Sequence, residues 1–132
     1  MPTHTTSSSL EQCIAECLKC YEVCHQMAMN HCLEKGGKHV EPTHFRLMTS
    51  CAEICRTAAD VMLSGAPVHA AVCAACADVC DACAESCEEL GDMQACVTAC
   101  RRCAESCREM AGPVHIMGGE ARPGQLGSNL PA

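Results

Sequence analysis

Cys13-Ile-Ala-Glu-Cys17-Leu-Lys-Cys20-Tyr-Glu-Val-Cys24 is the stretch that decides the fold. Its cysteines are spaced four, three and four apart, and at about 100° per residue a helix gathers them into an arc of roughly 60°. The spacing returns as Cys96-Val-Thr-Ala-Cys100-Arg-Arg-Cys103-Ala-Glu-Ser-Cys107. Between the two lie Cys73, Cys76, Cys80, Cys83 and Cys87, again three or four apart. They cover roughly 80° and drift, as heptad-like spacing does on a straight helix. Cys51 and Cys55 start a similar stripe, which His44, Met48, Ala58 and Met62 extend. Cys32 is the exception, about 80° from the Cys24 direction on an unbroken α-helix.

Start and stop signals around these stripes divide the chain. Ser8 and Glu11 make a capping box before a helix expected over residues 9–35, which Gly36-Gly37 ends. Pro42-Thr43 opens a second helix, residues 43–64, closed by Gly65. Pro67 suits the first turn of a third, which runs to Leu90 and Gly91. Asp92 reads as the N-cap of a fourth, ending at Ala111 before Gly112-Pro113. No segment alternates with period two, so no strand is expected. Short connections between four helices predict an all-α, antiparallel up-and-down four-helix bundle. The expected organisation is an N-terminal arm (1–8), the bundle (9–111) and a Gly/Pro-rich tail (112–132) that reads as extended or mobile.

In such a bundle the stripes stand where core residues belong, and no rival stripe of Leu or Ile exists to displace them. Only twenty of 132 residues are Leu, Ile, Val or Phe, and Tyr21 and Phe45 are the only aromatics. So few large hydrophobes cannot offset chain entropy alone, and cross-links through metal or disulfides become the candidates for the missing stabilisation. Nine Lys and Arg against 16 Asp and Glu, a net charge of −7 without a basic cluster, argue against nucleic acid and anionic membranes as partners. No stretch reads as a secretory leader or membrane span, so a reducing cytoplasm is the expected location. There, dense cysteine points to metal or redox chemistry.

Cysteine as a small buried hydrophobe would explain one or two of these residues, not fifteen aligned ones. Disulfides between i and i+4 would link residues that a helix already holds, and so would stabilise little. The Cys-x-x-Cys pairs at 17/20, 73/76, 80/83 and 100/103 lack the strand-to-helix setting of dithiol redox catalysts. Nor do the spacings match a ferredoxin cluster motif. Metal is left, and charge favours one kind. Sixteen buried thiolates would carry about −16; four zinc ions in four-cysteine sites would leave about −8 uncompensated. Cu(I) at about one ion per thiolate, with sulfurs bridging, would approach neutrality, and the soft ligand set suits it.

Where the first helix ends and the second begins, Met27, His31, His44, Met48 and Met93 can gather with Cys87 and Cys96 into a mouth that passes Cu(I) inward. At the opposite end Met62, His69 and Met110 would stand beside Cys13, Cys73 and Cys107. Met48 ranks first among these accessory candidates because it lies on the cysteine stripe. His4, His39 and His115 receive no role.

The repeated Cys-x3-Cys-x2-Cys-x3-Cys runs on helices of an expected bundle resemble the bacterial four-helix-bundle copper storage proteins, and the missing leader resembles their cytosolic branch. The likeness spans about residues 9–111. It implies a bundle filled with many Cu(I) ions on cysteine thiolates, assembled as a homotetramer. By motif the metal role falls to Cys13, Cys17, Cys20, Cys24, Cys51, Cys55, Cys73, Cys76, Cys80, Cys83, Cys87, Cys96, Cys100, Cys103 and Cys107. Cys32 matches no repeat and is carried as a sixteenth candidate ligand. The expected function is storage of Cu(I) for release to a copper chaperone or chelator, without catalysis. No Ser-His-Asp set, carboxylate pair or phosphate-cradling glycine loop can be placed. A zinc or general soft-metal buffer of metallothionein type, and a redox-responsive thiol scaffold, are the alternatives.

Overall fold

A computed structural model describes the backbone of residues 2–121 and the side chains of residues 9–112. Helix α1 runs Pro2–Gln26, widens into a π-helical segment Met27–Cys32, and ends in a last α turn Leu33–Lys35. A 3-10 turn, Gly37–Val40, leads to α2, Pro42–Ser64. Helix α3 is His69–Leu90, and α4 is Gln94–Ala121 with a break at Gly112. No strand occurs among the described residues. α1 packs on α2 and α4, and α3 packs on the same two, so the helices form an antiparallel square around one core. The expected bundle is what the chain adopts.

The boundaries follow from local chemistry. Pro42 occupies the first turn of α2, where its missing N–H costs nothing, and the Glu41 carboxylate accepts the His44 backbone N–H at 3.0 Å. That N–H, followed by Thr43, holds the Glu41 carboxyl below the usual carboxylate range. Gly65 closes α2 in the left-handed region (φ 72°, ψ 21°), with its N–H on the Met62 carbonyl.

Several expected boundaries move. The first helix begins at Pro2, upstream of the Ser8–Glu11 pair, because proline suits a first helical position. Asp92 is not an N-cap: it sits in the turn at φ 61°, and α4 begins at Gln94 with the Val97 N–H on the Met93 carbonyl. The tail expected to be extended from Gly112 resumes as helix through Ala121, since Gly112 (φ 66°, ψ −177°) makes the break and Pro113 can restart a helix. Residues 122–132 lie outside the described residues.

Cysteine and alanine fill the core. All sixteen cysteines are buried and free, and the only larger apolar side chains buried among the described residues are Met48, Met62, Met93 and Val97, set among small alanines such as Ala28, Ala52, Ala58, Ala77 and Ala104. Small residues let the helix axes approach closely and bring opposing thiols into contact. Outside, Arg101 pairs with Glu88 (2.8 Å) and Asp81 (3.8 Å), and Arg108 pairs with Asp78 and Asp81, lacing α3 to α4. Such exposed pairs contribute about 0–1 kcal/mol each.

Candidate metal centre

The four stripes meet as a ladder of sulfurs along the bundle axis. In the middle, Cys51 Sγ lies 3.7 Å from Cys80 and Cys100, 3.8 Å from Cys20, and 4.0 Å from Cys24 and Cys55. Cys55 continues to Cys80 (3.5 Å), Cys76 (3.7 Å) and Cys103 (3.7 Å). Cys103 touches Cys17 at 3.6 Å, Cys17 touches Cys107 at 3.6 Å, and Cys107 touches Cys13 at 3.8 Å. One metal about 2.3 Å from each sulfur requires S···S separations of about 3.8 Å in a tetrahedron and about 4.0 Å in a planar triangle. The thiols therefore already stand near metal-ligand spacing.

Four groups have donor sulfurs mutually within 4.8 Å: Cys17/Cys76/Cys103/Cys107, Cys20/Cys24/Cys51/Cys100, Cys20/Cys55/Cys80/Cys103 and Cys13/Cys73/Cys107. Cys20, Cys103 and Cys107 each belong to two of them. Separate tetrahedral sites would compete for these sulfurs, whereas a metal cluster uses them as bridges. The chemistry suited to the ladder is polynuclear thiolate ligation by a soft cation.

Burial penalises ionisation, and sulfur contacts redistribute it. The Cys87 thiol is pulled down to about 4 by Cys83 and then Cys96. For Cys73 the lowering contact from Cys107 is outweighed by Cys13 and by burial, which push the thiol up to about 12. Burial, then the nearby Cys87, raises the Cys32 thiol.

Cys32 is fully buried, as the other thiols are. A π turn carries one residue more than an α turn, so the residues beyond it are rotated by about 100° relative to an unbroken helix. The 80° offset becomes about 20°. Asn30 marks the place: its side-chain amide donates to the Gln26 carbonyl at 3.0 Å, the acceptor that its backbone N–H would use in an α-helix. An asparagine inside a helical run was the available sequence signal. Cys32 Sγ then lies 3.9 Å from His44 Nε2 and 4.0 Å from Met93 Sδ. His44 is oriented by a 2.8 Å hydrogen bond between Nδ1 and Ser86 Oγ; when Nδ1–H donates, the Nε2 lone pair faces the thiol.

The other accessory candidates divide. Met48 Sδ accepts from Cys87 (3.5 Å) and Cys83 (3.7 Å), and Met62 Sδ accepts from Cys73 (3.8 Å). Met27 and Met110 are half-buried against the core without a sulfur contact among the described residues. His69 Nδ1 faces the Ala66 carbonyl at 3.3 Å, not a thiol. His31 turns away from the sulfurs and meets His39 and Asp92. His39, to which the sequence assigned nothing, is buried because the 3-10 turn folds back over the end of α1. No periodic signal marks such a turn.

The chain matches the copper storage protein family over residues 6–112. A crystal structure of a protein from Nitrosospira multiformis is 57% identical, with a TM-score of 0.79 over 80% of this chain and 96% of that one. The Cu(I)-bound copper storage protein BsCsp3 is 38% identical, with a TM-score of 0.73 over 79% of this chain and 99% of that one. The apo form of copper storage protein 3 from Bacillus subtilis is also 38% identical, with a TM-score of 0.70 over 77% and 98%. Comparison with curated proteins gives no match.

Proposed function

The chain belongs to the copper storage protein family, and from that premise we propose that it takes up and holds Cu(I), roughly one ion per cysteine, on the thiolates of its bundle core. One observation carries the reading: all sixteen cysteines are free and buried, and twelve of them fall into four ligand groups that share sulfurs between neighbours. Bridging thiolates let a +1 ion neutralise each sulfur as it ionises, so filling removes the cost of buried negative charge. The ligands are Cys13, Cys17, Cys20, Cys24, Cys32, Cys51, Cys55, Cys73, Cys76, Cys80, Cys83, Cys87, Cys96, Cys100, Cys103 and Cys107. Met48, Met62, Met93 and His44 supply further donors at the two ends.

Copper enters and leaves where His44, Met93 and Cys32 meet, the end at which, among the described residues, an imidazole and thioethers flank the ladder. The role is storage, not catalysis, because a core saturated with thiolate ligands leaves no open position for a substrate. No helix among the described residues is long and apolar enough to cross a membrane. Free thiols in this density fit a reducing cytoplasm. Assembly into a homotetramer is carried into this proposal by the family likeness.

The test is an anaerobic Cu(I) titration of fully reduced protein against a competing chelator, counting ions per chain. A tight endpoint near one ion per cysteine is expected. An endpoint of a few ions, or tighter binding of zinc in a parallel titration, overturns the reading in favour of a zinc or general soft-metal buffer.

A further inference from the structure

Beyond the thiol ladder, three segments converge over the His44 end of the bundle: the π-helical end of α1, which carries His31; the 3-10 turn, which carries His39; and the α3–α4 turn, which carries Asp92. One donor atom from each lies within 4.8 Å of the others. The two imidazoles meet edge to face, with centroids 5.1 Å apart at 89°. His39 is only 6% exposed. Its Nδ1 and the Nε2 of His31 are both buried atoms without a hydrogen-bond partner among the described residues. A buried polar atom left unpaired costs about 1–3 kcal/mol, so two such atoms side by side call for an occupant. Asp92 Oδ2 stands 3.5 Å from His31 Nε2 and 3.5 Å from Lys35 Nζ.

We propose that His31, His39 and Asp92 form a second metal site, chemically distinct from the core, that binds one divalent first-row cation of the zinc type. Two imidazoles and a carboxylate are borderline and hard donors, the set that suits Zn(II) or Co(II) rather than Cu(I), and no thiolate belongs to it. An ion about 2.0–2.2 Å from each donor needs donors about 3.3–3.6 Å apart. Asp92 is exposed and can close that gap, and water completes the shell. The Lys35 ammonium, itself 55% exposed, occupies the cation's electrostatic role when no ion is present and must withdraw when one binds. A bound ion would tie together the three segments that surround the mouth. The site does not depend on which ion fills the core.

The test is a Co(II) titration followed by absorption, made on protein whose thiols are filled with Cu(I) and repeated on metal-free reduced protein. In the second case thiolate ligation announces itself by sulfur-to-cobalt charge transfer, which separates the two classes of site. One equivalent per chain is expected to bind with d–d bands and no sulfur charge transfer. Asp92→Asn, at an exposed position, should weaken that component about tenfold or more, and His39→Ala should abolish it. Lys35→Met should strengthen it severalfold, a gain that unfolding cannot mimic. Identical binding in all three variants, or cobalt bands only of the thiolate kind, overturns the proposal and leaves an ion pair only.

Discussion

The two ends of the bundle terminate the same ladder in different chemistry. At the chain-terminal end, Cys13, Cys73 and Cys107 meet one another and the Met62 thioether, so the donors among the described residues are sulfur alone. At the opposite end Cys32 faces an imidazole and a thioether, Met48 caps Cys83 and Cys87, and beyond them lie two histidines and an aspartate. Donors thus harden along the axis, from sulfur to sulfur with nitrogen to nitrogen with oxygen. A soft ion bound weakly by mixed donors exchanges more readily than one buried among thiolates, so the proposed mouth would give the ladder a direction.

Plugging the mixed end should have the largest effect. His44→Leu with Met93→Leu keeps volume and apolar packing but removes both non-thiol donors around Cys32. Stopped-flow uptake of Cu(I) from a chelator should slow roughly a hundredfold, a rise of about 2.7 kcal/mol in barrier. Met62→Leu at the other end should leave the rate unchanged. If the two variants slow uptake equally, the ladder has no preferred direction.

Acid should separate sites next. A thiol whose pKa is raised is protonated at neutral pH, so copper must displace its proton, and affinity falls about tenfold per pH unit of acidification for each proton displaced. Cys73, at about 12, and Cys32, raised by burial and then by Cys87, belong to this class. Cys87, at about 4, remains a thiolate until pH falls near that value. Chelator competition between pH 7.5 and 5.5 should show a shallower slope in Cys73→Ala and an unaltered one in Cys87→Ala.

Stoichiometry probes the middle against the ends. Cys51 has five sulfur neighbours within 4.0 Å, whereas Cys13 has one. Cys51→Ala should lose about two copper ions, because bridging thiolates serve more than one metal, and Cys13→Ala about one at most. Mass spectrometry of loaded protein counts them. Equal losses would mean that the core is filled by independent sites.

What the sequence discloses of this architecture depends on periodicity. Fifteen cysteines are placed by spacings of three and four, because those spacings define one face of a helix whatever surrounds it. Met48 and Met62 fall on the Cys51–Cys55 stripe for the same reason. Cys32 escapes because its phase is set by a π turn, which straight-helix arithmetic cannot contain. His39 and Asp92 escape for a different reason: each lies in a turn, where the backbone path, not a repeat, decides what is buried. Asp92 looks like a helix cap from its neighbours, and only its positive φ shows that it belongs to the turn before the helix. The storage core is written in repeats, and the mouth is built from the interruptions between them.

The smallest expected effect concerns that aspartate. A residue with φ 61° pays about 1–2 kcal/mol relative to glycine in the left-handed region, less for Asp, whose short side chain tolerates it. Glycine would relieve that strain but gives back about 0.5–1 kcal/mol through the freedom of the unfolded chain. It would also forfeit the Lys35 ion pair and the 3.5 Å contact with His31, which are exposed on the Asp92 side and contribute at most about 1 kcal/mol. Asp92→Gly should therefore change the stability of the metal-free protein by less than about 0.5 kcal/mol, as read from denaturant unfolding under reducing conditions. A loss well above about 1 kcal/mol would make the carboxylate a structural clasp between α1 and the α3–α4 turn. Near-neutrality would mean that the turn would fold equally well on glycine, so the carboxylate is there for what it faces: the buried His39 and the half-buried His31, at the end of the ladder proposed as its mouth.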